Sequence, residues 1–161
     1  MPNYLAVFQS GGITEIEKRY VARELMLLGD KTAEYGITLS EQDCVDIAEC
    51  RFESLKENER IEVGLGAVEK IIEGFCDSGY VSQHNFRETV EGLLECFYMI
   101  KTETEDRVSD DDVLSFLKYL FEDECGGDIS KIYDSVALDS FIRGKNSFTP
   151  PNDEEYGGGV R

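Results

Sequence analysis

Apolar residues in this chain recur at helical spacing, and the alternation of a β-strand never lasts beyond four residues. From Ile13 to Leu28, the residues Ile13, Ile16, Tyr20 and Leu27 share one face, with Val21, Leu25 and Leu28 beside it. That wide stripe predicts a helix closed by Gly29 as its C-cap, and Gly36 closes a short continuation. Ser40, with Asp43 three residues on, predicts a capped helix start, after which Cys44, Ala48, Phe52 and Leu55 line one face. A further helix begins at Gly66, carries Val68, Ile71, Ile72 and Phe75, and stops around Asp77-Ser78-Gly79. Ser82 is the expected cap of the next, in which Phe86, Val90, Leu93, Leu94 and Phe97 hold helical spacing almost to Lys101. The short connector makes these two an αα-hairpin.

A polar linker, Thr102 to Ser109, precedes a helix capped by Ser109 that carries Val113, Phe116, Leu117, Leu120 and Phe121 and ends at Gly126-Gly127. The last helix is expected near Ile129 to Ile142, with Ile132, Tyr133 and Val136 inward. Two stretches are ambiguous. Tyr4 to Phe8 reads as a strand or a helical turn, and Arg60 to Val63 as an isolated strand at most. After Gly144 the composition turns to Pro150-Pro151 and Gly157 to Gly159, which predicts a flexible acidic tail over 146–161. The expected fold is all-α: one domain over residues 1–145, a bundle of five or six helices. At 161 residues the chain buries about 70% of its unfolded surface when it folds.

Composition sharpens this picture mainly through charge. Asp and Glu number 34 against 16 Lys and Arg, a net charge of −18. The excess is uneven: residues 1–36 carry 5 acids and 4 bases, whereas residues 102–126 carry 9 and 2. Asp110, Asp111 and Asp112 stand together at a predicted helix start, where acids favour the macrodipole. Such a balance argues against nucleic-acid and membrane-surface binding and permits a protein partner with a basic surface. No apolar run approaches the ~20 residues of a membrane span. The opening MPNYLAVFQSGG lacks a basic n-region, and Cys44, Cys50, Cys76, Cys96 and Cys125 are odd in number with no CxxC pair. These features predict a soluble cytoplasmic protein with core thiols.

The stretch from Arg60 to Phe86 invites three chemical readings. Gly64-Leu65-Gly66 before a helix, with Lys70 beyond, imitates a phosphate loop, but the spacing of GxxxxGK[ST] and the flanking strands are missing. Gly79, Val81, Ser82 and Phe86 match the framework of a calcium loop, yet Gly74, Cys76, Ser78 and Asn85 fall where oxygen ligands are needed. His84, the only histidine, cannot build a zinc or di-iron site alone, and its pairing with Cys76 is opposed by burial of that thiol. No metal and no cofactor is expected. Among carboxylates, Glu91 and Glu95 are read as solvent-facing, while Glu62, Glu69 and Asp77 are the better candidates.

The pattern R-I-E-x-G-x-G, then E-K-I-I with F-C-D-S, then Y-V-S-Q, and a helix ending in CFYMIK resembles a bacterial family catalogued as a domain of unknown function, over roughly residues 60–101. The resemblance implies no activity. It implies that Glu62, Gly64, Gly66, Glu69, Lys70, Asp77, Ser78, Tyr80, Ser82 and Gln83 are where a site would lie; His84, beside them, is a further candidate for ligand binding on its own chemistry. The helix from Gly66 to Asp77 is about 16 Å long, so its two ends are not expected to share one small pocket. Two functions are then in view. One is an acidic helical interaction or accessory protein working through Asp110 to Asp112. The other is an enzyme or small-ligand binder with a pocket between helices near residues 60–86.

Overall fold

The computed structural model describes residues 12–144, and these contain helices and loops but no strand. Seven α-helices follow in order: α1 (Gly12–Met26), α2 (Gly29–Ala33), α3 (Glu41–Glu57), α4 (Ala67–Phe75), α5 (Phe86–Glu103), α6 (Asp110–Tyr119) and α7 (Val136–Arg143). A π-helical turn, Leu120–Glu124, prolongs α6, and a 3₁₀ turn, Ile129–Asp134, precedes α7. The expected all-α bundle is the observed fold, with one more α-helix than the upper count. The ambiguous Tyr4–Phe8 and the tail from residue 146 lie outside the described residues.

Helix α5 is the axle of the bundle. Its buried residues, among them Thr89, Val90, Leu93, Leu94, Cys96, Phe97, Tyr98 and Ile100, occupy most of its circumference. A helix apolar on nearly all sides is stable only when surrounded, and α3, α4, α6 and the 3₁₀ turn pack around α5. Helices α4 and α5 pack on each other across a connector, residues 76–85, longer than the one read from the sequence. Helix α1 joins the bundle on α3, through Val21, Ala22 and Leu25. Helix α7 is held by Phe141, whose ring stacks on Phe116 at 3.9 Å and 4°. Cys44, Cys76, Cys96 and Cys125 are buried and Cys50 half-buried, all as free thiols.

Local chemistry explains most boundaries. Ser40 and Asp43 form a reciprocal capping box, Asp43 N–H donating to Ser40 Oγ at 3.0 Å and Ser40 N–H to Asp43 Oδ2 at 3.1 Å. Ser109 Oγ likewise accepts from Asp112 N–H at 3.2 Å. Gly36, at φ +78°, ends α2 with Ile37 N–H reaching back to Thr32 O at 3.1 Å. Helices α3 and α5 end in the same fashion, with Glu59 and Glu105 in the left-handed region at φ +54° and +53°. Arg60 N–H then reaches Leu55 O and Asp106 N–H reaches Lys101 O. The two residues leaving these parallel turns pair with each other, Arg60 Nη2 to Asp106 Oδ1 at 2.6 Å.

Three boundaries and one buried face differ from the sequence expectation. Helix α1 stops at Met26, and Gly29 opens α2 instead of capping α1. Only one flank of the predicted α1 stripe is buried, because Val21, Ala22 and Leu25 meet α3 while Ile16, Tyr20 and Leu27 face outward. Asn85, not Ser82, precedes α5; its Oδ1 accepts from Ser82 N–H at 2.8 Å, so the apparent cap belongs to a turn. The last helix is broken at Ser135, whose extended backbone (ψ 130°) and Oγ bond to Ala137 N–H at 3.1 Å start a new helix. The 3₁₀ turn before it has three residues per turn, so Ile132 is buried while Tyr133 and Val136 are exposed.

The caps set measurable contributions. Ser40→Ala and Ser109→Ala are each expected to lower unfolding stability by about 1 kcal/mol in urea titrations. Ser82→Ala, whose hydroxyl caps no helix, should change it by less than about 0.5 kcal/mol.

Candidate functional site

The loop between α3 and α4 closes over a buried polar network. Arg51 lies on α3 at 4% exposure. Its Nη2 donates to Gly64 O at 2.8 Å and to Glu62 O at 3.3 Å, and sits 3.3 Å from Glu62 Oε1. The Tyr98 hydroxyl, from the middle of α5, donates to the same carboxylate oxygen. Glu62 Oε2 accepts from Ala67 N–H at 3.3 Å, the first residue of α4. One carboxylate therefore neutralises a buried guanidinium, satisfies a buried phenol and caps a helix. Burial, then the charge of Glu62, hold the Tyr98 phenol above its usual range. Arg51 Nε is buried without a hydrogen-bond partner.

The glycines serve this network. A Cβ at Gly66 would lie 2.2 Å from Glu62 Cδ, and its backbone has φ +58° and ψ −131°, a region open to glycine alone. Gly64, at φ +69°, turns its carbonyl to Arg51. The positive end of α4, where a phosphate loop would hold its anion, already faces a carboxylate of the chain itself. Ile61 and Val63, flanking Glu62, point outward and are almost wholly exposed.

Lys70 and Asp77 line one extended groove. A cleft of about 520 Å³ runs between α4 and α6, lined among others by Lys70, Phe75, Asp77, Lys118, Tyr119 and Glu122. Lys70 and Asp77 are seven residues apart on one face, so the groove is elongated instead of compact. Lys118 already fills its acidic end: the ammonium donates to Gly74 O, pairs with Asp77 at 3.0 Å and lies 5.1 Å from the Phe75 ring centre. This is a cation at a helix C-terminus, supplied internally. Lys70 reaches Asp111 at 3.5 Å.

Two of the remaining motif residues, Gln83 and Tyr80, join distant segments. Gln83 brackets the Thr38 backbone, its Nε2 donating to Thr38 O at 3.0 Å and its Oε1 accepting from Thr38 N–H at 2.5 Å. The Tyr80 ring packs edge-on to Phe121 at 6.2 Å and lies where a Cβ at Gly127 would sit 2.4 Å from it. Ser78 Oγ accepts from Tyr80 N–H at 3.3 Å. Glu69 is half-buried in the first turn of α4.

His84 is exposed on the turn, and among the described residues no hydrogen bond joins it to Cys76. The Cys76 thiol donates instead to Glu73 O at 3.7 Å, and burial with the nearby Asp77 pushes its pKa up. That environment opposes a thiolate. Glu91 is half-buried beside Arg87 at 3.1 Å, not solvent-facing as expected, and desolvation raises its carboxyl. Desolvation raises Glu95 too, assisted by Glu57. Of the acidic triplet, Asp110 is bound to the buried Lys101 at 2.8 Å and Asp111 to Lys70, while Asp112 stays exposed. Among the described residues, no three His, Cys, Asp or Glu side chains converge as metal ligands would. No helix there is long and apolar enough to cross a membrane.

Sequence reasoning missed Arg51, Tyr98, Lys101 and Lys118, the cations and phenol that partner the motif. One signal was present. Cys44, Ala48, Arg51 and Leu55 follow one helical stripe, so an arginine stood inside an apolar face, and Phe52 is only half-buried beneath Lys18.

The fold and this network define a small helical-bundle protein whose motif residues hold segments together. Residues 24–146 match the family DUF6323, a family of unknown function, and since that is most of the chain, the protein belongs to it. No curated protein and no solved structure matches the chain.

Two sets of measurements check this account. Glu62→Ala should cost about 3 kcal/mol, because it leaves Arg51 buried and unpaired. A double-mutant cycle with Arg51→Met should return a coupling of about 2 kcal/mol. Burial also raises Cys44 to about 11 and Cys50 and Cys96 to about 12. Groups with raised folded pKa values favour the native state below their unfolded values, and the unfolded chain ionises first above them. The urea midpoint should therefore hold steady to about pH 8.5 and fall beyond it, and His84→Ala should leave the native thiols as unreactive to a disulfide reagent as before.

Proposed function

We propose that this protein acts by binding another protein, as an acidic helical interaction or accessory module and not as a catalyst. The observation that carries the reading is the outer side of α1 and the turn after it, where Ile16, Tyr20 and Leu27 are 62%, 50% and 71% exposed. Large apolar side chains gathered in this way mark contact surfaces more often than scattered ones do. The candidate residues around 60–86 support it in another way, since their polar groups are engaged by Arg51, Tyr98, Lys118 and Thr38 within the chain. Asp110 and Asp111 are partly neutralised by Lys101 and Lys70, which leaves a basic partner less to engage there than the sequence suggests. Five free thiols suit a reducing compartment, so a bacterial cytoplasm is the location that goes with this reading.

A competing reading is a small-ligand binder, favoured by the cleft between α4 and α6. A ligand there would have to displace the Lys118 ammonium from Asp77. Native mass spectrometry of protein purified from its own host separates the two, because a retained small molecule would add a discrete mass.

Affinity capture from the host at low and moderate salt tests the leading reading. The full chain should retain a stoichiometric protein that Ile16→Asp/Leu27→Asp loses, with circular dichroism unchanged between the two. Retention of nothing at any salt would refute it.

A further inference from the structure

Two stretches of this chain have strand character, Tyr4 to Phe8 and Arg60 to Val63, and a single strand leaves its backbone groups unpaired. The second lies in the loop ahead of α4. There Ile61 and Val63 are 95% and 92% exposed, while Glu62 between them turns inward to Arg51. The carbonyls of Glu62 and Gly64 both accept from Arg51 Nη2, at 3.3 and 2.8 Å. Side chains that point out, in and out, with alternate carbonyls to one side, follow the pattern of an extended chain. The backbone groups of Ile61 and Val63 therefore lie along the opposite edge, and among the described residues neither makes a hydrogen bond. The network around Arg51 thus holds out a short open edge with two β-branched side chains on its outer face. Such an edge is completed by another extended segment.

Topology selects the occupant. Helix α1 runs antiparallel to α3: Met26 Sδ accepts from Cys44 Sγ at 3.4 Å, whereas Lys18 pairs with Glu49 at 2.7 Å and lies over the Phe52 ring. Gly12 is a further six residues back, about 9 Å at the helical rise, which brings it level with the last turn of α3. Arg60 N–H folds back onto Leu55 O in that same turn, so Ile61 starts from the same end of the molecule. The chain ahead of Gly12 is therefore delivered beside the open edge. Phe8 is four residues from Gly12, a reach of about 14 Å when extended, against about 8–10 Å between packed helix axes.

The chemistry of the segment fits as well. All five residues of Tyr4-Leu5-Ala6-Val7-Phe8 are apolar, so either register lays apolar side chains beside Ile61 and Val63. Residues 1–11 carry no charged side chain, so Lys56, Glu57 and Glu59, just ahead of the edge, neither select nor oppose them. The exposed side of α1 is also within reach, but a helix satisfies its own backbone and offers a strand no edge.

We propose that Tyr4 to Phe8 pairs as a strand along Ile61 to Val63, closing the loop ahead of α4 from outside as Glu62 closes it from within. This is independent of the interaction reading, which rests on α1.

Nuclear magnetic resonance of the full chain tests the pairing at the backbone. The Ile61 and Val63 amides should exchange at least about tenfold more slowly than free peptide amides, and Overhauser contacts should link both residues to residues 4–8. Leu5→Pro/Val7→Pro, which removes ladder donors, should abolish both signals while circular dichroism keeps its helical content. Leu5→Val/Val7→Ile, which keeps strand propensity, should retain them. Free exchange at Ile61 and Val63 in the native chain, protection that survives the prolines, or contacts from residues 4–8 to Ile16 and Tyr20 instead would each overturn the proposal. So would protection that vanishes on dilution, since a second copy would then supply the strand. The contacts are read in the native chain, so the test stands even where the prolines disturb the helices.

Discussion

A buried guanidinium is the constraint around which this bundle is arranged. Arg51 projects from α3 into the space between α3, α5 and the loop ahead of α4, where an unpaired charge would cost several kcal/mol. Glu62 answers it. Because the carboxylate that does so also accepts from Tyr98 and from the first amide of α4, three helices share one ion pair. The loop can reach that position only through two glycines in left-handed conformations, one of them directly against the carboxylate. A hydrophobic substitute could match the stability, but the directional bonds set how α4 meets α3 and α5.

The same device recurs at lower burial around the molecule. Arg60 joins the ends of α3 and α5 through Asp106, Lys101 ties α5 to the start of α6 through Asp110, and Lys118 closes the end of α4 against α6. Each places a scarce cation between two segments that local sequence does not connect. Individually, exposed pairs contribute little; their effect here is on which ends meet. Each cation used in this way also neutralises the carboxylate it meets, so the pairs leave the net charge of the surface unchanged.

Several residues of the stretch that resembles a site in the sequence also fasten segments together. Glycines ahead of a helix, a lysine one turn in, an aspartate at the far end and a tyrosine in the turn have the composition of a binding motif. Each has a partner within the chain or a steric reason. The partners lie elsewhere in the chain: Arg51 and Tyr98 for Glu62, Asp111 for Lys70, Lys118 for Asp77 and Thr38 for Gln83. Large apolar side chains face outward both beside Glu62, at Ile61 and Val63, and on α1, at Ile16 and Tyr20.

Much of this was legible from residues a few positions apart. Helical periodicity, the caps at Ser40 and Ser109, the left-handed glycine ends and the burial of four thiols are all consequences of contacts within one or two turns. The exposed crest of α1 was read as part of the core, because periodicity shows that a face is apolar and not whether a neighbour covers it. The final helix broke at Ser135 for a similar reason: its two halves pack on different neighbours. Glu62 was singled out as a candidate, but its meaning depends on Arg51 and Tyr98, eleven residues before it and thirty-six after. By itself, then, the sequence determined the helices, their ends and the acidic surface, since the backbone and near-neighbour side chains control those. Only the tertiary structure decided which charges were internal ties and which stayed available, because that depends on groups brought together from remote parts of the chain.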